Sequence, residues 1–298
     1  MNGPCRRSAT TSANSATAAF TGSPPKRSAR HRAPPEPTEG QGPNPSAVAG
    51  EADTQPSTQH GPQQATPVPG RPDPAVAGHL NRYRHGVLGA DLAAAMRRRH
   101  ERHGVRFHLG HTIDSFDGDE RVRIARLSNG TELPADVVVE AVGSVTNTEW
   151  LAGNGLDLTD GLLTDHAMQV AGTTVVAVGD LARHPNALFG SIPRRIEHWN
   201  MPTETGRRAG RTLAAVLAGQ EPDRSPFVAM PSFWSDQYEY KLQSFGLPGI
   251  ATSSRCVDGD VDGPCIVEYQ DESGLVGVVG IDRTPDLAPY RRELQARA

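Results

Sequence analysis

The chain has 298 residues, a formal net charge of -4 and 36% hydrophobic residues, which allows one or two folded domains. No strongly basic region argues for a nucleic-acid partner, and no apolar run approaches the length of a membrane span. Three cysteines, Cys5, Cys256 and Cys265, form no Cys-x-x-Cys pair, which excludes that dithiol motif and argues against a disulfide framework. Cys256 and Cys265 are spaced so that they can face each other across a hairpin. The reading preferred here is two free thiols in a reducing cytoplasm.

The composition is not uniform. Between Met1 and Leu80 the large apolar side chains are Phe20, Val48, Val68 and Val76, and Pro, Ser, Thr, Gln and Gly dominate the rest. Such a stretch cannot bury enough apolar surface to offset its ordering entropy, so residues 1–82 are expected to form a disordered tail. Arg6, Arg7, Lys26, Arg27, Arg30 and Arg32 precede the first acidic residue, Glu36, in the manner of a transit peptide. The prolines and the lack of helical apolar periodicity favour instead a leader unrelated to the folded region. No hydrophobic segment supports a secretory signal.

From Leu88 the pattern becomes structured. Leu88, Leu92, Ala95, Met96 and Arg99 fall on one helical face with Arg97 and Arg98 on the wet side, and Gly104 is placed to end the helix. Residues 105–109 alternate as a short strand, and residues 121–127 as another. Ser128, Asn129 and Gly130 turn the chain into a third strand. Residues 136–139 lead into Ala141 and Gly143 as a buried strand closed by glycine. Residues 147–155 read as one helical turn, and 162–170 as an extended return with Asp165 exposed.

The run TTVVAVGD at 173–180 reads as a strand covered on both faces, ending in Gly179 and Asp180. A carboxylate at that end of a strand sits where open α/β sheets bind ligands. A loop follows, and then a helix from about residue 198 to 218 opened by Glu197, His198 and Trp199, with Pro202 tolerated in its first turn. Beyond Pro226 short strands are expected near 233–237, 241–245, 266–270 and 275–281, with a final helix near 287–295. His100, His103, His108 and His111 lack the partners of a tetrahedral site, so no metal is expected.

The Gly179-Asp180 strand end, the Glu197-His198-Trp199 run and the aromatic stretch of Phe233, Trp234 and Tyr238 together resemble the C-terminal half of the FAD-dependent NAD(P)H:ferredoxin reductases of the pyridine-nucleotide oxidoreductase superfamily. The resemblance implies an α/β fold in three parts. These are a disordered tail (1–82), a partial Rossmann-like FAD/NAD(P)-binding domain (83–225) and a small α+β C-terminal domain (226–298). It also implies FAD contacts from Gly179, Asp180, Glu197, His198 and Trp199. Gly143 would lie beside the nicotinamide cofactor, in a loop where Thr146 replaces the family's usual proline. Trp234 would be near the iron–sulfur protein partner, a ferredoxin.

The implied activity passes electrons from NAD(P)H through flavin to that partner, with no catalytic side chain in the protein. Neither Gly-rich dinucleotide fingerprint of the superfamily occurs in the sequence. A second reading therefore stands beside the first: a non-catalytic fragment, or a module that needs a separate N-terminal half.

Overall fold

The structure, a computed structural model, describes residues 16–20, 75–78, 87–141 and 143–297. The expected disordered tail over 1–82 lies mostly outside the described residues. Within it, two segments are strands that the sequence did not foretell, β1 (Ala16–Phe20) and β2 (Ala75–Gly78). Helix α1 (Gly89–Arg102) comes next, then β3 (Arg106–Leu109), β4 (Ile113–Asp117), β5 (Ile124–Leu127), β6 (Glu132–Pro134) and β7 (Val137–Glu140). The middle of the chain holds β8 (Leu162–Leu163), β9 (Ala182–His184), β10 (Arg194–Arg195) and helix α2 (Met201–Leu217). The last part is β11 (Ser232–Gln237), β12 (Tyr240–Gly246), β13 (Ser253–Gly259), β14 (Cys265–Asp271), β15 (Gly274–Ile281) and helix α3 (Ala288–Gln295).

The strands form four sheets. In the first, ordered β3-β2-β1-β7, β2 runs parallel to β3 with α1 between them in sequence, a strand–helix–strand unit of the α/β kind. β1 is antiparallel to both β2 and β7. The open main-chain groups of β3 and β7 account for the two extra strands, because an unpaired edge gains a hydrogen-bond ladder from any extended neighbour. β4, β5 and β6 make an antiparallel meander, in which β4 was not anticipated and β5 begins at Ile124 rather than at residue 121.

Helix α1 matches its predicted stripe, with Leu92, Ala95, Met96 and Arg99 all buried. It ends as a glycine-terminated helix should. Gly104 takes φ 82°, and the Val105 amide donates to the His100 carbonyl at 3.1 Å.

Two strand expectations need correction. β7 forms, but it is not buried: Val137 and Val139 are 40% and 43% exposed, because β7 is an edge strand with β1 on one side. Residues 173–180 form no regular strand. A single antiparallel bridge joins Val176 to Gln169, and Val175 and Val178 face outward while Ala177 is buried. An extended apolar run becomes a strand only beside a paired neighbour, and the neighbour here is the short stretch 168–170, which pairs through the Ala177–Met168 and Val170–Val175 hydrogen bonds and is too brief for a ladder.

Asp165, expected to be exposed, is partly buried. Its carboxylate accepts from the Ala167 and Gln169 amides at 2.8 and 3.0 Å and pairs with Arg224.

The C-terminal sheet is antiparallel throughout, in the order β11-β12-β15-β14-β13. β13 was missed because it is a polar, mostly exposed edge strand without apolar alternation. β14 and β15 supply its dry centre: Cys265, Val276, Val278, Val279 and Ile281 are fully buried. At Gly277 the segment after β12 crosses so closely that a Cβ would sit 2.7 Å from the Pro248 nitrogen, which only glycine permits.

The same core takes in Leu92 and Met96 of α1, Met168, Leu188, Phe189 and Ile196, and Met201 and Ala209 of α2. At its rim Arg99, 1% exposed, donates to the carbonyls of Val261 and Gly263 at 2.8 and 2.9 Å and lies 4.6 Å over the Tyr240 ring. A buried guanidinium is tolerated only with such partners. Arg99→Met keeps the apolar stem and leaves two partly buried carbonyls without their donor, together costing about 1–3 kcal/mol. Urea unfolding should show a stability loss of that order, and an unchanged midpoint would contradict this role for Arg99.

Candidate functional site

The chain leaves Val178 in extended conformation and enters a tight 3-10 turn over Gly179–Leu181. Gly179 adopts φ 62°, a conformation that side chains resist, and it packs on Pro202, to which an added Cβ would come within 3.4 Å. Its amide donates to Thr205 Oγ1 at 3.0 Å, and that hydroxyl donates to the Met201 carbonyl at 2.8 Å. The turn is thereby clamped to the first turn of α2. Asp180, the next residue, is exposed to solvent.

Glu197, His198 and Trp199 do not open the helix as expected. They precede it, and α2 starts at Met201 after Asn200, with Pro202 in its first turn. The Asn200 side chain, which an N-cap would turn onto the helix, instead donates to the Met230 carbonyl at 2.8 Å and accepts from the Ser232 amide at 3.1 Å. That ties the helix start to the entrance of β11. Glu197 accepts from Ser144 Oγ at 3.0 Å and pairs with Arg195, which also holds Asp160 at 2.8 Å.

His198 is half-buried, with its ring edge-on to Phe233 at 5.3 Å and its Nδ1 enclosed without a hydrogen-bond partner. Burial lowers its pKa below the ordinary histidine value.

Asp180, Glu197, His198 and Trp199 come together around a cavity of about 430 Å³, closed by Pro202 and Thr203 at the amino end of α2. Trp199 lines its open side and stays 84% exposed. Gly143, at φ 91°, does not line the cavity; its neighbour Ser144 reaches the site through Glu197. Trp234 does not line it either. Phe233 turns toward His198, and the next residue of a strand points to the opposite face, where Trp234 is 56% exposed.

The residues that sequence reasoning missed are Ser144, Asn200 and Thr205. An asparagine just before a helix with proline in its first turn was a usable capping signal. The hydroxyls of Ser144 and Thr205 carried none.

The four histidines near residues 100–111 do not form a cluster. His103 stacks on Tyr238 at 3.7 Å and pairs with Glu239, His100 meets the same tyrosine edge-on, and His111 contacts Asn129. Among the described residues no three His, Cys, Asp or Glu side chains are placed to share a metal ion, and no helix is long and apolar enough to cross a membrane.

Residues 78–206 match the family described as Pyridine nucleotide-disulphide oxidoreductase, and residues 232–298 match Reductase C-terminal. The chain is 31% identical over 221 residues to the 5,5'-dehydrodivanillate O-demethylase ferredoxin reductase subunit of Sphingobium sp. (strain NBRC 103272 / SYK-6), covering 71% of this chain and 50% of that one. It is 30% identical over 170 residues to putidaredoxin reductase CamA of Pseudomonas putida, covering 54% and 37% respectively.

Among solved structures, the covalent putidaredoxin reductase–putidaredoxin complex matches with a TM-score of 0.60 at 28% identity, over 69% of this chain and 48% of that one. The ferredoxin reductase of the CYP199A2 system from Rhodopseudomonas palustris matches with a TM-score of 0.56 at 28% identity, over 65% and 46%. The chain spans half or less of the length of these relatives. It corresponds to the C-terminal portion of an FAD-dependent ferredoxin reductase of the pyridine nucleotide-disulphide oxidoreductase kind.

Burial lowers the pKa of His100, His108 and His184 as well as that of His198. Each stays neutral in the folded chain at a pH where the unfolded chain binds a proton, so stability is present above about pH 6.5 and is lost as pH falls below it. Urea midpoints should be flat from pH 8 to 7 and decline from pH 6.5 to 5.5. A midpoint that holds steady to pH 5.5 would contradict the burial of these rings.

Proposed function

We propose that the chain carries the flavin-ring and partner-facing half of an FAD-dependent NAD(P)H:ferredoxin reductase, with a flavin-side unit over 83–225 and a C-terminal unit over 226–298. The observation that carries the reading is the convergence of Asp180, His198 and the amino end of α2 on one cavity. Its residues fit part of the cofactor. The Asp180 carboxylate suits the hydroxyls of a ribityl chain. The enclosed, unpartnered Nδ1 of His198 suits a polar ring edge, since buried polar groups need partners. The positive end of the α2 helix dipole favours the electron-rich pyrimidine side of the ring, and Trp199 offers it a surface.

The chemistry a flavin supplies there when bound is hydride acceptance from NAD(P)H and release of single electrons. The protein's part is positioning. Gly179 and Thr205 fix the Asp180 turn, and Glu197 fixes the loop of Gly143 through Ser144. That loop is assigned to the nicotinamide side. Trp234, on the far face of β11, is assigned to the iron–sulfur protein partner, the second electron carrier of a cytoplasmic reductase. Exposed aromatics are effective interface anchors.

A second reading is favoured by one specific observation. Val137, Val139, Val175 and Val178 are each exposed on extended segments that read as covered strands. A module completed by a separately supplied N-terminal half would cover them.

Both readings give the same expectation for the chain by itself. With no Gly-rich turn for the pyrophosphate, FAD and riboflavin should bind weakly and within about threefold of each other, whereas a pyrophosphate anchor separates them by orders of magnitude. Flavin fluorescence quenching measures both, and Asp180→Ala should weaken each by about tenfold, the loss of roughly 1.4 kcal/mol. A stoichiometrically yellow purified protein would overturn the weak-binding expectation. Binding unaffected by Asp180→Ala would overturn the site.

A further inference from the structure

The hairpin of β13 and β14 carries two of the chain's three cysteines. Cys256 is partly exposed on β13, and Cys265, the first residue of β14, is fully buried. In the ladder Cys256 stands opposite Val267, and Gly259 stands opposite Cys265. Val267 and Cys265 are two apart, so they share a face of the sheet, and Cys256 lies on that face too.

The register jumps between Cys256 and Asp258, a bulge that inserts one residue and bends β13. The Cys256 thiol is thereby turned along its own strand. It lies 3.5 Å from the Asp258 carbonyl and 3.6 Å from that of Gly259, the residue facing Cys265. The two cysteines thus lie on one face of the hairpin, with Cys265 two residues along β14 from the ladder partner of Cys256. The Cys256 side opens to a cleft of about 350 Å³ between β13 and α1, with Arg98 and Asp260 on its wall.

We propose that Cys256 and Cys265 form a reversible cross-strand dithiol, oxidised by low-molecular-weight disulfides that enter through this cleft. The Cys256 thiolate attacks one sulfur of the incoming disulfide, whose S–S bond breaks and releases one thiolate. The Cys265 thiolate then attacks Cys256 Sγ in the mixed disulfide and expels the second. The protein pair loses two electrons and two protons, and the small disulfide gains both to become two thiols. Burial, reinforced by the neighbouring thiol, pushes the Cys265 pKa up to about 11, so the second step is the slow one.

The consequence falls on the loop that this bond would close. Residues 260–263 supply the two carbonyls that hold Arg99 and the Asp262 carboxylate that holds Arg98. Oxidation would therefore stiffen the receptor for α1.

The test is to incubate the full chain with oxidised glutathione, alkylate the remaining thiols and analyse tryptic peptides by mass. Cleavage after Arg255 and Arg283 leaves both cysteines on one peptide. That peptide should appear two hydrogens lighter and unalkylated, and dithiothreitol should reverse the loss. Cys265→Ser should stop at a lasting glutathione adduct on Cys256. Cys256→Ser should leave Cys265 unreacted until the protein is denatured. The proposal is overturned by a wild-type peptide that remains doubly alkylated, by one that retains a glutathione adduct, or by a bond from either cysteine to Cys5.

Discussion

The C-terminal sheet and the two longer helices pack on the apolar side chains of β14 and β15. Those strands are close to dry along their length, and no other cluster of buried residues in the described chain approaches theirs in size. The α/β segment contributes to this core from both of its longer helices. Because the helices pack there, the turn at Gly179 and the start of α2 lie next to the entrance of β11. The site is thus a by-product of how two matched sequence families share one hydrophobic interior.

Polar contacts then fix the orientation that burial leaves loose. Arg99 reads the 260–263 loop through two carbonyls, Asn200 spans the start of α2 and the approach to β11, and Thr205 holds the Gly179 amide. Each joins segments distant in sequence, and each sits at or inside the core, where a misplaced donor or acceptor is expensive. The exposed ion pairs, such as Arg97–Glu101, lie in water and contribute little.

Much of this was legible from the residues alone. The stripe of α1 with its Gly104 stop, the hairpin at 128–130 and four of the five C-terminal strands follow from periodicity and turn chemistry. The convergence of Asp180 with Glu197, His198 and Trp199 came from a family resemblance. What failed has physical causes. The run at 173–180 has strand-forming side chains, but a strand is a property of pairs, and its pairing cannot be read from its own composition. β13 is polar because it is an edge. The helix starts at Met201 rather than His198, with the Asn200 side chain turned away to Met230 and Ser232, while the Glu197-His198-Trp199 run was read as its opening. Arg99 fell on the apolar stripe, yet nothing local announced that a charge would be buried with carbonyls more than 160 residues away in sequence.

The central claim is that a flavin ring is received between the Gly179 turn and the start of α2. Hydrogen–deuterium exchange of the full chain, with and without saturating riboflavin, tests it most directly. The account predicts slowed exchange at the amides of residues 179–181, 198–201 and 203–204, with the amides of β13 and β14 unchanged. Protection confined to other segments, or none at saturation, would contradict it.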